Sequence, residues 1–401
     1  MPTQTAPRPT AQTASGNQTA SGNQTASGNQ TASGKKPFIR RHLQDGSQRL
    51  RHTVQIVFLA LNVWLGVQFY LWVRYFDSYG KSPYVSRPAG VEGWLPIAGL
   101  MNLKYFLMTH HLSAIHPAAM FLLAAFLLSS LLLKKAFCAW LCPVGTLSEA
   151  LWNLGERGLR RFGLRPLAFP RWLDIPLRSL KYLLLAFFVY VVVSMPAAGL
   201  EQFLEAPFGI IADVKMLNFF REMGVVGISV LLTLALLSLV IKNVWCRYLC
   251  PYGALMGIVS ALSPVRIRRD PEACIDCNKC NHACPSHLPV AQLVTIRSLE
   301  CSSCLSCIAA CPAENALNYA LPPRRAPQVP PAAEANPAAR SLALSNARWR
   351  LRTLQPRAVA ALLAVIFFAF VAIARLTHHW QTEIPNSVYQ QLVPNADQFN
   401  H

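Results

Sequence analysis

The cysteines of this sequence fall into regular groups, and each group ends in a proline. Twelve cysteines are present, and eight of them form the pattern C-x2-C-x2-C-x3-C-P twice, from Cys274 to Pro285 and from Cys301 to Pro312. Three closely spaced thiolates from one loop, with a fourth from elsewhere, are the ligands that a [4Fe-4S] cube needs. The doubled pattern therefore predicts two [4Fe-4S] clusters.

The fourth cysteine of each run is expected to ligate the cluster of the other run, as in two-cluster ferredoxins. The predicted first module set is Cys274, Cys277, Cys280 and Cys311. The predicted second module set is Cys301, Cys304, Cys307 and Cys284. A structural zinc module is the alternative, because C-x2-C also binds zinc, but zinc sites use two cysteine pairs and a doubled run of four fits them poorly.

The remaining four cysteines form two C-x3-C-P pairs, Cys138 with Cys142 and Cys246 with Cys250. The pairs lie in an internal repeat, FCAWLCPVG and WCRYLCPYG, whose copies are 108 residues apart. Each pair supplies only two thiolates, so we interpret the four together, the paired set, as a candidate third iron–sulfur site. Buried reduced thiols that only pack the helix starts are the alternative.

Long apolar runs separate these motifs. The 401 residues are 53% hydrophobic and only 14% charged, against roughly 25% charged in a soluble domain. A broken apolar stretch, Trp94–Thr109, predicts an amphipathic or re-entrant segment. Five other runs reach the ~17 residues that a membrane span needs. They are Val54–Trp72, Pro117–Leu133, Tyr182–Leu200, Val225–Ile241 and Ala358–Ala374.

Lys and Arg are distributed unevenly among the connecting segments. Segments 134–181 and 242–357 contain nine and fourteen, whereas 77–116, 201–224 and 377–401 contain three, two and none. Basic residues favour the cytoplasmic side, so we expect a multi-pass protein of the bacterial inner membrane with cytoplasmic cysteines and a periplasmic C-terminus. A disulfide framework does not suit that reducing side. The net charge of +19 lies beside apolar runs and does not indicate nucleic-acid binding.

The predicted fold is mainly α: a polytopic transmembrane helical bundle of about five spans, with a small bacterial-type two-cluster ferredoxin module (α+β) inserted before the last span. Six regions follow from these patterns. They are a disordered low-complexity N-terminus (1–34), the transmembrane bundle with both C-x3-C-P pairs (35–265), the ferredoxin-like module (266–320), a Pro/Ala-rich linker (321–350), the last transmembrane helix (351–376) and a periplasmic tail (377–401).

Together, the motifs FCAWLCPVGTLSE, WCRYLCPYGAL, CIDCNKCNHACP and CSSCLSCIAACP resemble those of the membrane polyferredoxins. This group includes NapH, the C-terminal half of NosR and the CcoG (RdxA/FixG) proteins, and the resemblance covers about Val54 to Tyr319. It implies electron transfer between the quinone pool, or a cytoplasmic donor, and a redox partner protein. In such a system the chain is an electron-transfer component or a quinol dehydrogenase.

Other functions stay open from sequence alone. A copper-reducing assembly factor for a metalloenzyme and an iron–sulfur redox sensor both use the same cysteine patterns. One hypothesis places a proton-accepting quinol site at His111 or His116 with Glu205, on the predicted periplasmic side. The arginines of residues 266–269 are interpreted as following the distribution of basic residues on the cytoplasmic side.

Overall fold

A computed structural model describes residues 46–164, 167, 169–271, 273–321 and 353–399. The predicted disordered N-terminus and nearly all of the Pro/Ala-rich linker lie outside these residues. The described part is mainly helical, which confirms the predicted fold class. Its α-helices are Ser47–Asp77 (α1), Pro96–Thr109 (α2), Pro117–Leu133 (α3), Ala136–Trp140 (α4), Pro143–Arg161 (α5), Arg171–Ser194 (α6), Ala197–Glu205 (α7), Pro207–Ile210 (α8), Ala212–Arg221 (α9), Val225–Val240 (α10), Pro251–Val259 (α11), Lys279–Ala283 (α12), Ser306–Ala309 (α13), Pro356–Leu376 (α14) and Asn386–Leu392 (α15).

Three helices, α1, α6 and α14, are long and apolar enough to cross a membrane. The run predicted at Val225–Ile241 forms α10, which reaches spanning length only together with α9, and that pair is bent by 81°. The run at Pro117–Leu133 forms α3, whose 17 residues rise about 26 Å against a hydrocarbon core of about 30 Å. The described residues thus hold three candidate spans, or four with the bent pair, and five spans are not confirmed.

The central helix of the bundle is α3. Most of its side chains are buried, and it packs against α2, α11 and α14. By contrast, α1, α6 and α14 leave large apolar side chains exposed, among them Trp64, Phe187 and Phe368. Exposed apolar faces on long apolar helices suit a lipid environment. The chain is a membrane protein.

The predicted run Tyr182–Leu200 is one helix only as far as Ser194. Pro196 follows, and a proline forces the residue before it out of the α region; Met195 accordingly has extended backbone angles. The Lys104 ammonium donates hydrogen bonds to three carbonyl groups at this helix end, where no intrahelical partner is available. The break therefore has a local cause and a local compensation.

The cysteine-rich module is packed against the end of the bundle. Its two strands, Arg266–Arg269 (β1) and Leu317–Ala320 (β2), pair antiparallel. The buried module cysteines belong to the same apolar core as Leu122 and Phe126 of α3. The fully buried Trp140 donates from its indole N–H to the Ser303 carbonyl at 3.1 Å. Module and bundle thus share one core.

Candidate functional site

Both four-cysteine runs fold into the same kind of tight loop. Asp276 and Asn278 have positive φ angles of 54° and 55° in the first run, and Ser303 and Leu305 have 52° and 59° at the equivalent positions of the second. These residues flank the middle cysteine of the first three in each run. Left-handed residues turn the backbone sharply and expose successive N–H groups, which favours an anionic group such as an iron–sulfur cluster.

The fourth cysteine of the first run lies among the thiols of the second run. Burial raises the pKa of the Cys284 thiol to about 11, and the charges of Cys304 and Cys301 act in the same direction. Cys284 also accepts a hydrogen bond from the Leu288 backbone N–H at 3.5 Å. The structure therefore brings Cys284 to the predicted second module set and gives its sulfur a backbone donor, as cluster sulfurs require.

The converse holds for Cys311, the last cysteine of the second run. Burial raises the pKa of its thiol, and the charges of Cys277 and Cys274 raise it further. Cys280 in turn has Cys311 and Cys274 as its thiol neighbours. The grouping in space is the crossed one that the spacing predicts, while the assignment of these cysteines as ligands stays a prediction.

The second module set encloses a small apolar cavity. All four of its cysteines line that cavity, together with Ile267, Leu288, Val290 and Ile296. No three His, Cys, Asp or Glu side chains in the described part of the chain lie close enough to hold a single metal ion, but each thiolate of a cube binds a different iron. Four thiols, apolar walls and a backbone donor to sulfur fit a [4Fe-4S] cluster.

The paired set also comes together in space. Burial raises the pKa of the Cys138 thiol to about 12, and the charges of Cys142 and Cys250 act in the same direction. Cys246 has the other three as its thiol neighbours. Thiols from the two copies of the repeat, 108 residues apart, thus form one group of four.

Helix starts position this group. Cys142 and Cys250 are the N-cap residues of α5 and α11, and a proline follows each. Proline fits the first turn of a helix, and the free N–H groups there favour a thiolate; the Gly253 N–H donates to Cys250 Sγ at 3.2 Å. Cys246 lies in a π-helical turn, Trp245–Leu249, a feature that is frequent at functional sites.

Close approach of α4 and α5 depends on a glycine. A Cβ on Gly145 would lie 2.6 Å from the carbonyl oxygen of Cys138, which is too short for any side chain. The Ala139 carbonyl, between the two cysteines of the first pair, accepts hydrogen bonds from Arg51 and Gln55 of α1. Packing and polar contacts together fix the first pair in place.

A buried lysine lies between the paired set and the second module set. Lys135 is 6% exposed, and its side chain makes no hydrogen bond or ion pair with any residue that the structure describes. Its positive charge lowers the pKa of Cys138 and also acts on Cys301 of the second module set. Lys135 is placed to offset negative charge at both thiol groups.

Two further lysines are buried nearby with partners of their own. Lys134 donates from Nζ to the carbonyls of Ile296 and Ser298, at 3.4 and 3.0 Å. Lys181 forms an ion pair with Glu300 at 2.6 Å. Buried charges are costly unless they are paired or hydrogen-bonded, so this concentration of lysines indicates that the region is built for anionic groups.

A cleft of about 420 Å³ opens between the bundle and the module. It is lined by Cys138 and Cys246 of the paired set and by Cys304 of the second module set. Lys135 lines it as well, together with Lys242. The paired set and the second module set therefore border the same polar space.

A separate polar network lies at the opposite end of α3. Arg87 pairs with Glu92 at 2.8 Å and with Asp213 at 2.7 Å, and all three side chains are almost wholly buried. Burial alone would raise the pKa of Glu92, but the charge of Arg87 lowers it to about 2. Tyr389, near the end of the chain, is buried beside these charges. The network ties the tail to the bundle.

The hypothesis that joins His111 or His116 to Glu205 finds a different partner in the structure. His116 Nδ1 lies 3.4 Å from Glu92 Oε1, whereas Glu205 is exposed. The full length of α3, about 26 Å, separates His116 from the paired cysteines. That distance argues against a quinol site there that feeds the thiols directly.

The sequence did not reveal that Lys135 and the Arg87 network are buried charged groups. The charge of Lys135 is already accounted for by the excess of basic residues on one side, so no local signal distinguishes it. Arg87 and Asp213 are 126 residues apart and belong to no motif. The scarcity of carboxylates beside apolar runs is the one signal that could have drawn attention to Glu92 and Asp213.

Two protein families match this chain. The 4Fe-4S binding domain matches residues 115–161 and 223–270, which contain the two cysteine pairs. The 4Fe-4S dicluster domain matches residues 266–312, which contain the two four-cysteine runs. No solved structure matches. Both families are described as 4Fe-4S domains, and their matches cover both copies of the repeat and the module.

Three relatives show which proteins this chain is similar to. YccM of Escherichia coli (strain K12), named for electron transport, is 46% identical over 351 residues, which cover 88% of this chain and 91% of YccM. The ferredoxin-type protein NapH of the same strain is 30% identical over 44% of this chain and 59% of NapH. Protein NirI of Paracoccus denitrificans (strain Pd 1222) is 32% identical over 43% of this chain and 24% of NirI.

The likeness to NapH and NirI therefore spans less than two thirds of those proteins, whereas the likeness to YccM is nearly end to end. The resemblance that the cysteine motifs predict is confirmed. The chain belongs to the membrane polyferredoxins, electron-transport proteins of the membrane with 4Fe-4S domains.

Proposed function

We propose that the chain relays electrons through three [4Fe-4S] clusters, held by the paired set, the second module set and the first module set in that order. The observation that carries this proposal is the gathering of twelve cysteines into three groups of four. Each group supplies the four thiolates of one cube. When bound, such clusters accept and release single electrons.

The order follows from neighbouring thiols. Cys138 and Cys304 border the same cleft, which joins the paired set to the second module set. Cys307 has Cys280 among its thiol neighbours, which joins the second module set to the first. Cys277, in the first module set, is the exposed cysteine at the far end. A relay along this order has one end against the bundle and one at the surface.

We propose that the bundle end exchanges electrons with the quinone pool. An aromatic cluster lies beside the paired set. Tyr252 has Cys138, Cys142 and Cys250 as neighbours, its ring lies 6.2 Å from that of Phe137, and Phe126 stacks on Phe137 with ring centroids 3.9 Å apart. Aromatic faces and a low-polarity environment suit a planar quinone ring. The exposed Cys277 end is the proposed contact for a redox partner protein.

We further propose that the module faces the cytoplasm and the C-terminus the periplasm. The distribution of Lys and Arg supports this orientation. It also keeps all twelve thiols in a reducing compartment, where they are available as ligands.

Comparing two electron donors tests the relay. Membranes that contain the full chain are reduced anaerobically with a quinol or with reduced flavodoxin, and the cluster absorbance is followed in time. We expect both donors to reduce the module clusters in the natural protein. Replacing both Cys142 and Cys250 by serine should slow the quinol reaction at least about tenfold and leave the flavodoxin reaction unchanged.

Two outcomes contradict the proposal in different ways. Failure of quinol to reduce the natural protein, with normal reduction by flavodoxin, removes the quinone pool as donor. Reduction by quinol at the natural rate in the Cys142→Ser/Cys250→Ser variant removes the paired set from the path.

A further inference from the structure

Three arginines of the module form a patch that the iron–sulfur sets do not use. Arg268 of β1 forms an antiparallel bridge with Thr295. Arg297 follows Thr295 by two residues, and its charge acts on Arg268 together with that of Arg266. Ile267 between the two strand arginines is buried, at 3% exposure, so Arg266 and Arg268 lie on the outer face of the strand. We call Arg266, Arg268 and Arg297 the arginine triad.

The triad has no counter-charge among the described residues. None of its members forms an ion pair there, and Arg268 Nε is buried without a hydrogen-bond partner. Burial lowers the pKa of Arg268, and the charges of Arg266 and Arg297 lower it further. By contrast, Arg269 on the other face of the strand lies 3.7 Å from Asp276. Three like charges held together without a carboxylate favour an external anion.

The triad lies level with the ends of apolar helices. The backbone N–H of Lys134, the residue after α3, donates to Ser263 Oγ at 3.0 Å, and the Ser263 carbonyl accepts from Arg266. On the other side of the sheet, Ala320 is opposite Arg266 and forms a bridge with Thr353, just before α14 begins. The patch therefore sits where α3 ends and α14 starts.

Exposed apolar side chains lie close to the triad along the chain. Leu262, between α11 and β1, is 76% exposed, and Ile258, in the last turn of α11, is 47% exposed. Apolar side chains next to a cationic patch are typical of protein surface at a membrane–water boundary.

We propose that the arginine triad binds the phosphate groups of anionic lipids in the membrane leaflet on the cysteine side, and so seats the module against the bilayer. The planar guanidinium fork matches phosphate oxygens with two parallel hydrogen bonds. Lipid is the partner favoured over an acidic protein because the triad is level with the helix ends and follows the exposed Leu262 in the chain. The inference goes beyond the electron relay and does not depend on the number of clusters.

Measuring bound lipid on the full-length protein tests the proposal. The detergent-purified protein is titrated with phosphatidylglycerol and, separately, with phosphatidylcholine, and bound lipid is counted by native mass spectrometry. The test variant is Arg266→Gln/Arg268→Gln/Arg297→Gln. The matched control, Arg157→Gln/Arg160→Gln/Arg161→Gln, removes the same charge from exposed positions of α5.

We expect the natural protein and the control to prefer phosphatidylglycerol, and the triad variant to lose about tenfold or more in affinity for that lipid, since basic side chains near an anionic surface add their attractions. Iron content reports whether the variant has folded. If the triple change lowers it, the single change Arg297→Gln, at an exposed position, carries the same test with a smaller expected loss.

Three results would overturn the proposal. An unchanged lipid preference in the folded variant would leave the triad without a lipid role. Equal affinity for glycerol phosphate and phosphatidylglycerol would make free phosphate esters the ligand. Retained lipid preference with lost binding of an acidic electron-carrier protein would assign the triad to protein docking.

Discussion

Cys280 and Cys284 are four residues apart, and yet their thiols have different neighbours. Cys280 lies near Cys311 and Cys274, whereas Cys284 lies near Cys304 and Cys301. Changing Cys280 to serine should damage the cluster of the first module set, and changing Cys284 to serine that of the second. Low-temperature EPR of the reduced variants distinguishes the two signals. Loss of the same signal in both variants would mean that the ligands do not cross.

Lys135 makes no hydrogen bond or ion pair in the described part of the chain, and its charge acts on the Glu300 carboxylate as well as on the thiols. Replacing Lys135 by methionine keeps the length of the side chain and removes its positive charge. That charge stabilises the reduced, more negative form of a nearby cluster. The midpoint potential of the cluster at the paired set should fall by roughly 50 mV or more, the equivalent of about 1 kcal/mol for one electron. Redox titration followed by EPR measures the change.

The control for this experiment is Lys81→Met, which removes the same charge from an exposed residue that follows α1. A fall of the same size in both variants would trace the effect to net charge rather than to the position of Lys135. An unchanged potential in the Lys135→Met variant would contradict the charge-compensating role.

At the residue scale, the grouping of cysteines can be predicted from sequence because spacing in a loop constrains which thiols meet. The environment of Lys135 cannot, since it depends on how the repeat, the module and α6 pack together. The pairing of His116 with Glu92 rather than Glu205 has the same origin. Glu92 reaches the histidine through a loop and a short 3-10 helix. Neither has a periodic sequence pattern from which it could be predicted.

At the scale of elements, the start of α5 against α4 decides whether the paired thiols can meet. Gly145→Ala would place a Cβ 2.6 Å from the Cys138 carbonyl oxygen, so the helix start must shift, at a cost of about 1–3 kcal/mol. We expect the variant to lose about four irons and to unfold at a lower temperature. Iron analysis and a thermal melt check both.

Gly158→Ala is the matched control in the same helix, because a Cβ at Gly158 meets nothing within 4 Å. It should keep its iron and should not melt at a lower temperature, because alanine favours the helix more than glycine does. Equal iron in the Gly145→Ala variant and the natural protein would show that the contact between α4 and α5 does not set the geometry of the paired set.

Element boundaries follow the sequence where one local rule dominates. Length and composition alone predict the apolar runs that form α1 and α14. Proline explains why α6 ends at Ser194. The break between α9 and α10 has a local marker in Gly224, the N-cap residue of α10, but no pattern in the sequence predicts its angle of 81°. Hydropathy alone does not reveal where an apolar run of 17 residues packs. In the structure this run is α3, which is buried at the centre of the bundle among α2, α11 and α14.

At the scale of the whole molecule, we propose that the module and the C-terminus lie on opposite sides of the membrane. Reporter fusions at Leu321 and after His401 test this orientation, since the excess of basic residues predicts a cytoplasmic Leu321 and a periplasmic tail. We expect cytoplasmic-type activity at the first point and periplasmic-type activity at the second. Periplasmic-type activity at both would overturn the topology and reopen the disulfide interpretation of the cysteines.

Counting iron tests whether the three groups of four thiols hold three clusters. Protein purified without oxygen should contain about twelve irons per chain, against about eight if only the module is loaded. Replacing both Cys142 and Cys250 by serine should remove about four irons and leave the two module EPR signals intact. An iron content that is unchanged by this double substitution would contradict a cluster at the paired set.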